Sequence, residues 1–259
     1  MFKQVLTLSL CALIAAAPLE AKSKKSSRKK AQTTQTAEKP KESAYDKLFK
    51  KKHEVADGMV KLHKVGDKLY FEFPQALFGR EMLLGSVISE TSDNLTGVPG
   101  SKSYTPLHIT FTKTGENVQI REINADNYTL GVAGNILRSL DRNNIPTIFR
   151  NFKIDAYNAD STAVVIDVTN LFMEDNDDLT PFDPYSTFGY KPFSRTTSFQ
   201  KSNSHLGDIK AFEDNVTVKS YLSYTTTVTY SNGPVMGKIE DRRAFTALVT
   251  RTLLLLPEK

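Results

Sequence analysis

The segment NVTVKSYLSYTTTV, Asn215 to Val228, alternates apolar and polar residues, and this period of two constrains the fold more than any other feature. Val216, Val218, Leu222 and Tyr224 fall on one side of an extended backbone, because successive side chains of a strand point to opposite faces. AFTALVTRTLLLLP, Ala244 to Pro257, alternates in the same way before entering a run of four leucines. Strands followed by turns, without a regular strand–helix repeat, predict an α+β, β-rich fold: antiparallel sheets with hairpins and a few short helices.

Earlier segments extend the pattern. MVKLHKVGDKLYFEFP reads as a hairpin around Gly66-Asp67. That register sets Leu62 opposite Phe71 and Val60 opposite Phe73 on an apolar face. Lys61 then meets Glu72, and His63 meets Tyr70, on the face expected to be exposed. In LHITFTKTGENVQIRE a turn at Thr114-Gly115 pairs Phe111 with Val118 and Ile109 with Ile120, leaving His108 and Arg121 on the polar face. SAYDKLFKKK places Tyr45, Leu48 and Phe49 at helical spacing behind a Ser43 cap, predicting a short amphipathic helix that ends before Gly58. PQALFG predicts one helical turn, EMLLGSVIS a strand and NILRSLDRNN a helix. FKIDAYNADSTAVVIDVTNLF predicts two strands joined through Asn158 to Ser161, then a short helix.

The N-terminal region has a different character. MFKQVLTLSLCALIAAAPLEA has a lysine-bearing start, an apolar run from Val5 to Ala17 and small residues before Ala21. This pattern predicts a signal peptide over residues 1–21 and an exported protein, periplasmic, outer-membrane-associated or extracellular. The run is too short for an ordinary membrane span. Cys11, the only cysteine, lies inside it, so the mature chain is expected to have neither a disulfide nor a thiolate ligand. Residues 22–52 carry twelve Lys/Arg against three Asp/Glu, a net of +9, which leaves residues 53–259 at −4 of the overall +5. Residues 22–42 are read as a basic disordered linker able to touch an anionic envelope surface, and nucleic acid is not an expected partner. A small lead-in domain is expected over 43–90 and a larger β-rich domain over 91–259.

No segment forms a recognisable active site. HEVAD, His53 to Asp57, resembles a zinc helix only superficially: two imidazoles reach one metal from positions four apart, and here the second position is Asp57. It is read as a solvent-exposed helix end, and His63 and His108 as surface histidines. In MEDNDDLTPFD the carboxylates of Glu174, Asp175, Asp177, Asp178 and Asp183 could surround calcium, but Leu179 and Thr180 break the calcium-loop pattern. There is no G-x-S-x-G elbow and no phosphate-cradling glycine loop. No catalytic, cofactor-binding or metal residue is therefore assigned, and no cofactor is expected.

YDKLFKKKHEVADGMVKLHKVGDKLYFEFP, GREMLLGSVIS, DSTAVVIDVTNLF and the closing LLLLPEK together resemble the N-terminal region of secreted bacterial zinc-dependent metalloproteases of the metzincin-like type. The resemblance covers about Ser43 to Lys259. It implies two adjacent uncharacterised domains ahead of a catalytic domain carrying H-E-x-x-H-x-x-G-x-x-H, a motif not present in this sequence. No zinc ligand is carried over.

The resemblance leads to the expectation of a non-catalytic accessory module, truncated at the seam before the catalytic domain. Such a module would contact a zinc metalloprotease catalytic domain through an exposed apolar patch near Leu253, Leu254, Leu255 and Leu256. The alternative is a stand-alone cell-envelope glycan- or peptide-binding module, with PFDPYSTFGYKPF offering Tyr185 and Tyr190 as stacking surfaces.

Overall fold

A computed structural model gives the fold over residues 42–94, 97–102, 105–124, 134–175, 178–181, 193–231 and 238–258. Helix α1 (Ala44–Leu48) comes first, and the Ser43 Oγ accepts from the Asp46 amide at 3.0 Å. Strands β1 (Glu54–Ala56), β2 (Lys61–Val65), β3 (Lys68–Pro74) and β4 (Glu81–Thr91) follow, with a 3-10 turn at Gln75–Leu77. Next come β5 (Leu107–Thr114), β6 (Asn117–Glu122), α2 (Gly134–Asn143), β7 (Thr147–Tyr157), β8 (Ala163–Asp167) and α3 (Thr169–Met173). The last described strands are β9 (Phe193–Phe199), β10 (His205–Ala211), β11 (Asn215–Ser231) and β12 (Lys238–Leu255).

All pair into one 12-stranded antiparallel sheet, in the order β1-β2-β3-β8-β7-β6-β5-β4-β12-β11-β10, with β9 beside the far half of β11. The α+β, β-rich class is as the alternation predicts. Val216, Val218, Leu222 and Tyr224 of β11 are all buried, since one face of that strand lines the core. Leu253 of β12 sits opposite Val216 on one side and Leu84 of β4 on the other.

Turn chemistry fixes the hairpin registers. The β2–β3 pairing is the predicted one, Lys61 with Glu72, Leu62 with Phe71 and His63 with Tyr70, around Gly66 at φ +60°. The β5–β6 pairing is displaced from the predicted one: Phe111 meets Ile120, and the two-residue loop is Gly115-Glu116. Gly115 adopts φ +59°, which a glycine tolerates at the first loop position far better than a threonine does. The displacement is two residues, so Phe111, Val118 and Ile120 still face the core. The helix near the start is also shorter than predicted. It stops at Leu48, and Glu54–Ala56 becomes a strand because its backbone finds β2 as a ladder partner, Val55 opposite His63.

The sheet curls until its two ends meet. β10 approaches β1 and β2: the Met59 amide donates to the Phe212 carbonyl at 2.6 Å, and Lys64 Nζ donates to the Gly207 carbonyl at 2.6 Å. The enclosed core runs through Leu62, Phe71, Phe73, Met82, Phe111 and Leu206, and Leu171, Phe172 and Met173 of α3 fill part of it. Among the described residues no helix is long and apolar enough to cross a membrane.

The seam depends on Gly58. A Cβ at that position would lie 2.6 Å from both the nitrogen and the oxygen of Phe212, atoms of a backbone that cannot swing aside. Gly58→Val is expected to part the two sheet ends and to destabilise the protein by about 2 kcal/mol or more, measured as a lowered urea midpoint. An unchanged midpoint would show that the seam carries little of the stability.

Candidate functional site

Strand β3 is buried on both faces. Leu69, Phe71 and Phe73 point into the core, while Tyr70 and Glu72 point outward, where α1 covers them. Tyr45, Leu48 and Phe49 of this segment pack against Tyr70, Ala156 and Val165. The helical spacing of those three residues therefore serves to close the outer face of the sheet.

Beneath that cover lies a continuous polar chain. The Tyr45 hydroxyl donates to Glu72 Oε2 at 2.9 Å. The same oxygen lies 3.0 Å from His63 Nε2, and His63 Nδ1 lies 3.0 Å from His53 Nε2. The far nitrogen of His53, Nδ1, is 2.8 Å from the Lys51 carbonyl oxygen. The Phe49 ring stacks on His63 at 4.1 Å between centroids and on His53 at 5.1 Å. His63 is only 4% exposed and Glu72 7%, whereas His53 is half-buried at the rim.

Burial sets the protonation of this group. Desolvation lowers the His63 pKa below the ordinary histidine value, against the Glu72 hydrogen bond and charge, which favour the imidazolium. For Glu72, burial alone would favour the neutral acid. The hydrogen bonds from His63 and Tyr45 and the charge of Lys61 outweigh it, and its pKa lies below the usual carboxylate range. Tyr45 is pushed up to about 12 by burial and by the Glu72 carboxylate it donates to. The chemistry available is hydrogen bonding and proton transfer along a Tyr–Glu–His–His line. Each nitrogen of His63 serves a different neighbour, so the cluster does not converge on one metal position. Among the described residues no three His, Cys, Asp or Glu side chains form a group able to hold a metal ion.

Several expectations change here. HEVAD is not a helix end: His53 belongs to the polar chain and Glu54 begins β1. His63 is not a surface residue, because α1 lies over the face that the hairpin alone would expose. His108 is partly buried and lies 2.9 Å from Glu81. It lines a groove of about 510 Å³ with Glu122, Asn124, Asn143, Asn144 and Ile145.

The leucine run makes no exposed patch. Leu253 is buried and Leu254, Leu255 and Leu256 are half-buried, since β12 pairs with β11 through Leu254 and with β4 through Leu255, and the Leu256 amide donates to Glu81 O. In the acidic stretch, Glu174 pairs with Lys201 at 3.1 Å and Leu179 is buried. Asp177, Asp183, Tyr185, Tyr190 and the basic segment 22–41 lie outside the described residues.

A second polar group was not legible in advance. Arg251, 1% exposed, donates from Nη1 to the Leu171 carbonyl at 2.7 Å. Its Nε and Nη2 and the hydroxyls of Ser86 and Ser220 have no hydrogen-bond partner among the described residues. Burial lowers the guanidinium pKa to about 10, with the nearby Tyr224 and Asp175 opposing that shift. The arginine occupies an inward position of an alternating strand, where sequence pattern alone calls for an apolar side chain.

Residues 100–259, more than half of the chain, match the family described as Domain of unknown function (DUF5117). The chain belongs to that family. Residues 42–91 match a second family, Domain of unknown function (DUF5118). No curated protein and no solved structure matches the chain.

The DUF5118 stretch supplies β1 to β4 and the DUF5117 stretch β5 to β12. Four strands of the DUF5117 stretch lie between β3 and β4 in the sheet. Glu42 to Lys259 accordingly forms one compact unit.

Two expectations follow from this geometry. Residues 42–91 made alone leave β4 without either neighbour, so no cooperative thermal transition is expected, and a sharp one would show that the stretch folds by itself. At the polar chain, a carboxylate with a depressed folded pKa contributes stability above its unfolded value, and that stability is lost as pH falls through the folded value. The wild-type urea midpoint should therefore fall with pH below about 4.5. Glu72→Gln should flatten that slope while lowering the stability at neutral pH by about 1–3 kcal/mol, read as a lower urea midpoint.

Proposed function

We propose that the chain is a non-catalytic accessory module that docks against the catalytic domain of a secreted zinc-dependent metalloprotease. The partner class rests on the resemblance of the segments between Ser43 and Lys259 to the N-terminal regions of those enzymes. The observation that carries a docking role is helix α2. Ile136, Leu137 and Leu140 form one stripe along it; Ile136 and Leu137 are exposed and Leu140 is half-buried. Among the described residues no other strand or helix packs substantially against α2.

The apolar surface continues past the helix. Ile145, 70% exposed, and Ile148 at the start of β7 extend it toward the groove that Asn143, Asn144 and Glu122 line. An amphipathic helix is stabilised mainly by burying its apolar face, and α2 is too short to be stable on propensity alone. Each Ile or Leu covered by a partner contributes about 1.5–3 kcal/mol of burial energy. Arg138 and Arg142 fall on the face of the helix opposite that stripe. The Leu253–Leu256 run, taken up by the sheet, has no part in this reading.

The test is titration calorimetry of the purified protein against a metzincin-type zinc protease catalytic domain from the same source. Ile136→Asp with Leu137→Asp is expected to weaken binding at least about tenfold, the equivalent of roughly 1.4 kcal/mol, with no loss of thermal stability. Absence of binding, or binding unaffected by the double substitution, would overturn the proposal.

A further inference from the structure

The chain Lys51–His53–His63–Glu72 fixes its own proton count. The Lys51 carbonyl oxygen can only accept, so the 2.8 Å contact requires a proton on His53 Nδ1. An ionised carboxylate can only accept, so the 3.0 Å contact with Glu72 Oε2 requires a proton on His63 Nε2. The remaining contact, His53 Nε2 to His63 Nδ1 at 3.0 Å, needs one further proton between the two nitrogens. Three N–H groups are thus required of two rings, and a neutral pair supplies only two. A pair carrying four would set two N–H groups against each other at that distance.

We propose that His53 and His63 hold a single excess proton between them, resident on His53, and that this proton forms a pH-sensitive clamp fastening the α1 segment to the outer face of the sheet. His53 is the imidazolium, donating from Nδ1 to Lys51 and from Nε2 to His63. His63 is the neutral Nε2–H tautomer, accepting at Nδ1 and donating to Glu72.

The surroundings fit that placement. His63 is the more deeply buried ring, and burial disfavours charge on it. His53 lies at the half-exposed rim. Phe49 presents its ring to both imidazoles, and an aromatic face attracts a cation. The charged and titratable groups around the pair come from every element packed on it. Tyr45 and Asp46 come from α1, Tyr70 and Glu72 from β3, Lys61 from β2, and Glu54 from β1, tied to Lys64 at 3.5 Å. Glu72 balances the added charge, and Lys61 opposes a second proton.

Loss of the proton breaks the chain at a definite place. A neutral His53 can donate to Lys51 or to His63 but not to both. As pH rises, either the loop before β1 loses its carbonyl anchor or the two ring nitrogens meet lone pair to lone pair. Both outcomes loosen α1, whose attachment runs through Tyr45 and Phe49.

The experiment is long-range ¹H–¹⁵N correlation of the histidine side chains in the whole protein at about pH 6, close to the ordinary histidine value. The expected spectrum has His53 protonated on both nitrogens and His63 as the neutral Nε2–H form. Amide protection in Ala44–Leu48 and Glu54–Ala56 should then fall by roughly an order of magnitude by pH 8.5, as the proton that completes the chain is lost. His53→Gln keeps a side-chain donor but carries no charge, and it should abolish that fall. Two neutral rings at pH 6, a charged His63 beside a neutral His53, or protection independent of pH in the wild type would each overturn the proposal. Joint perturbation of both rings by added zinc would also overturn it, since it would make the pair a metal site.

Discussion

Strand β3 lies between two hydrophobic layers, so the polar atoms of its outer row have to find partners without help from bulk water. Glu72 meets that demand with Tyr45 on one side and His63 on the other. An unpaired carboxylate there would carry a penalty of several kcal/mol. The helix that removes water from Glu72 is thus the same one that supplies its hydrogen-bond donor. Packing and polarity are coupled in a single element: α1 cannot leave without exposing Tyr70 and Val165, and it cannot stay unless Glu72 remains paired.

A comparable tension exists inside the curled sheet. Along β12, the inward positions run Leu253, Arg251 and Val249, so a guanidinium interrupts an otherwise apolar face. Arg251 lies opposite Val218 on one side and Ser86 on the other, with Ser220 one row along opposite Val249. This polar row falls between the main core and the smaller cluster of Leu222, Tyr224, Phe245, Ala247 and Val249. The bond from Arg251 to the Leu171 carbonyl ties the middle of α3 to β12, so the interruption also positions the helix that fills the interior.

What the sequence discloses follows the range of the forces involved. Alternation in β11 and β12, the β2–β3 register and the helical spacing of Tyr45, Leu48 and Phe49 are local, and each is visible in a short window. The β5–β6 register turned on which residue takes the positive φ, and Gly115 decides it from within the loop. His63 could not be placed by such means. Its burial depends on a segment ten or more residues upstream folding over the hairpin, and nothing in KLHKV marks which face will be covered. Arg251 is the reverse case: the strand was legible, but the pattern gives no reason for a charge at an inward position. The Leu253–Leu256 run reads as surplus hydrophobicity only until β4 is known to lie beside it.

The strand order has a consequence for how the molecule is made. β4 lies between β5 and β12, and Leu83 pairs with Leu254 across most of the length of the chain. Contacts this distant in sequence have a high loop-closure cost, and folds rich in them form slowly. Until β12 is available, β4 has an open edge and the barrel-like wall has a gap beside it. The apolar edge of β4 therefore stays uncovered until β12 is made, and closure of the sheet waits on a strand distant in sequence.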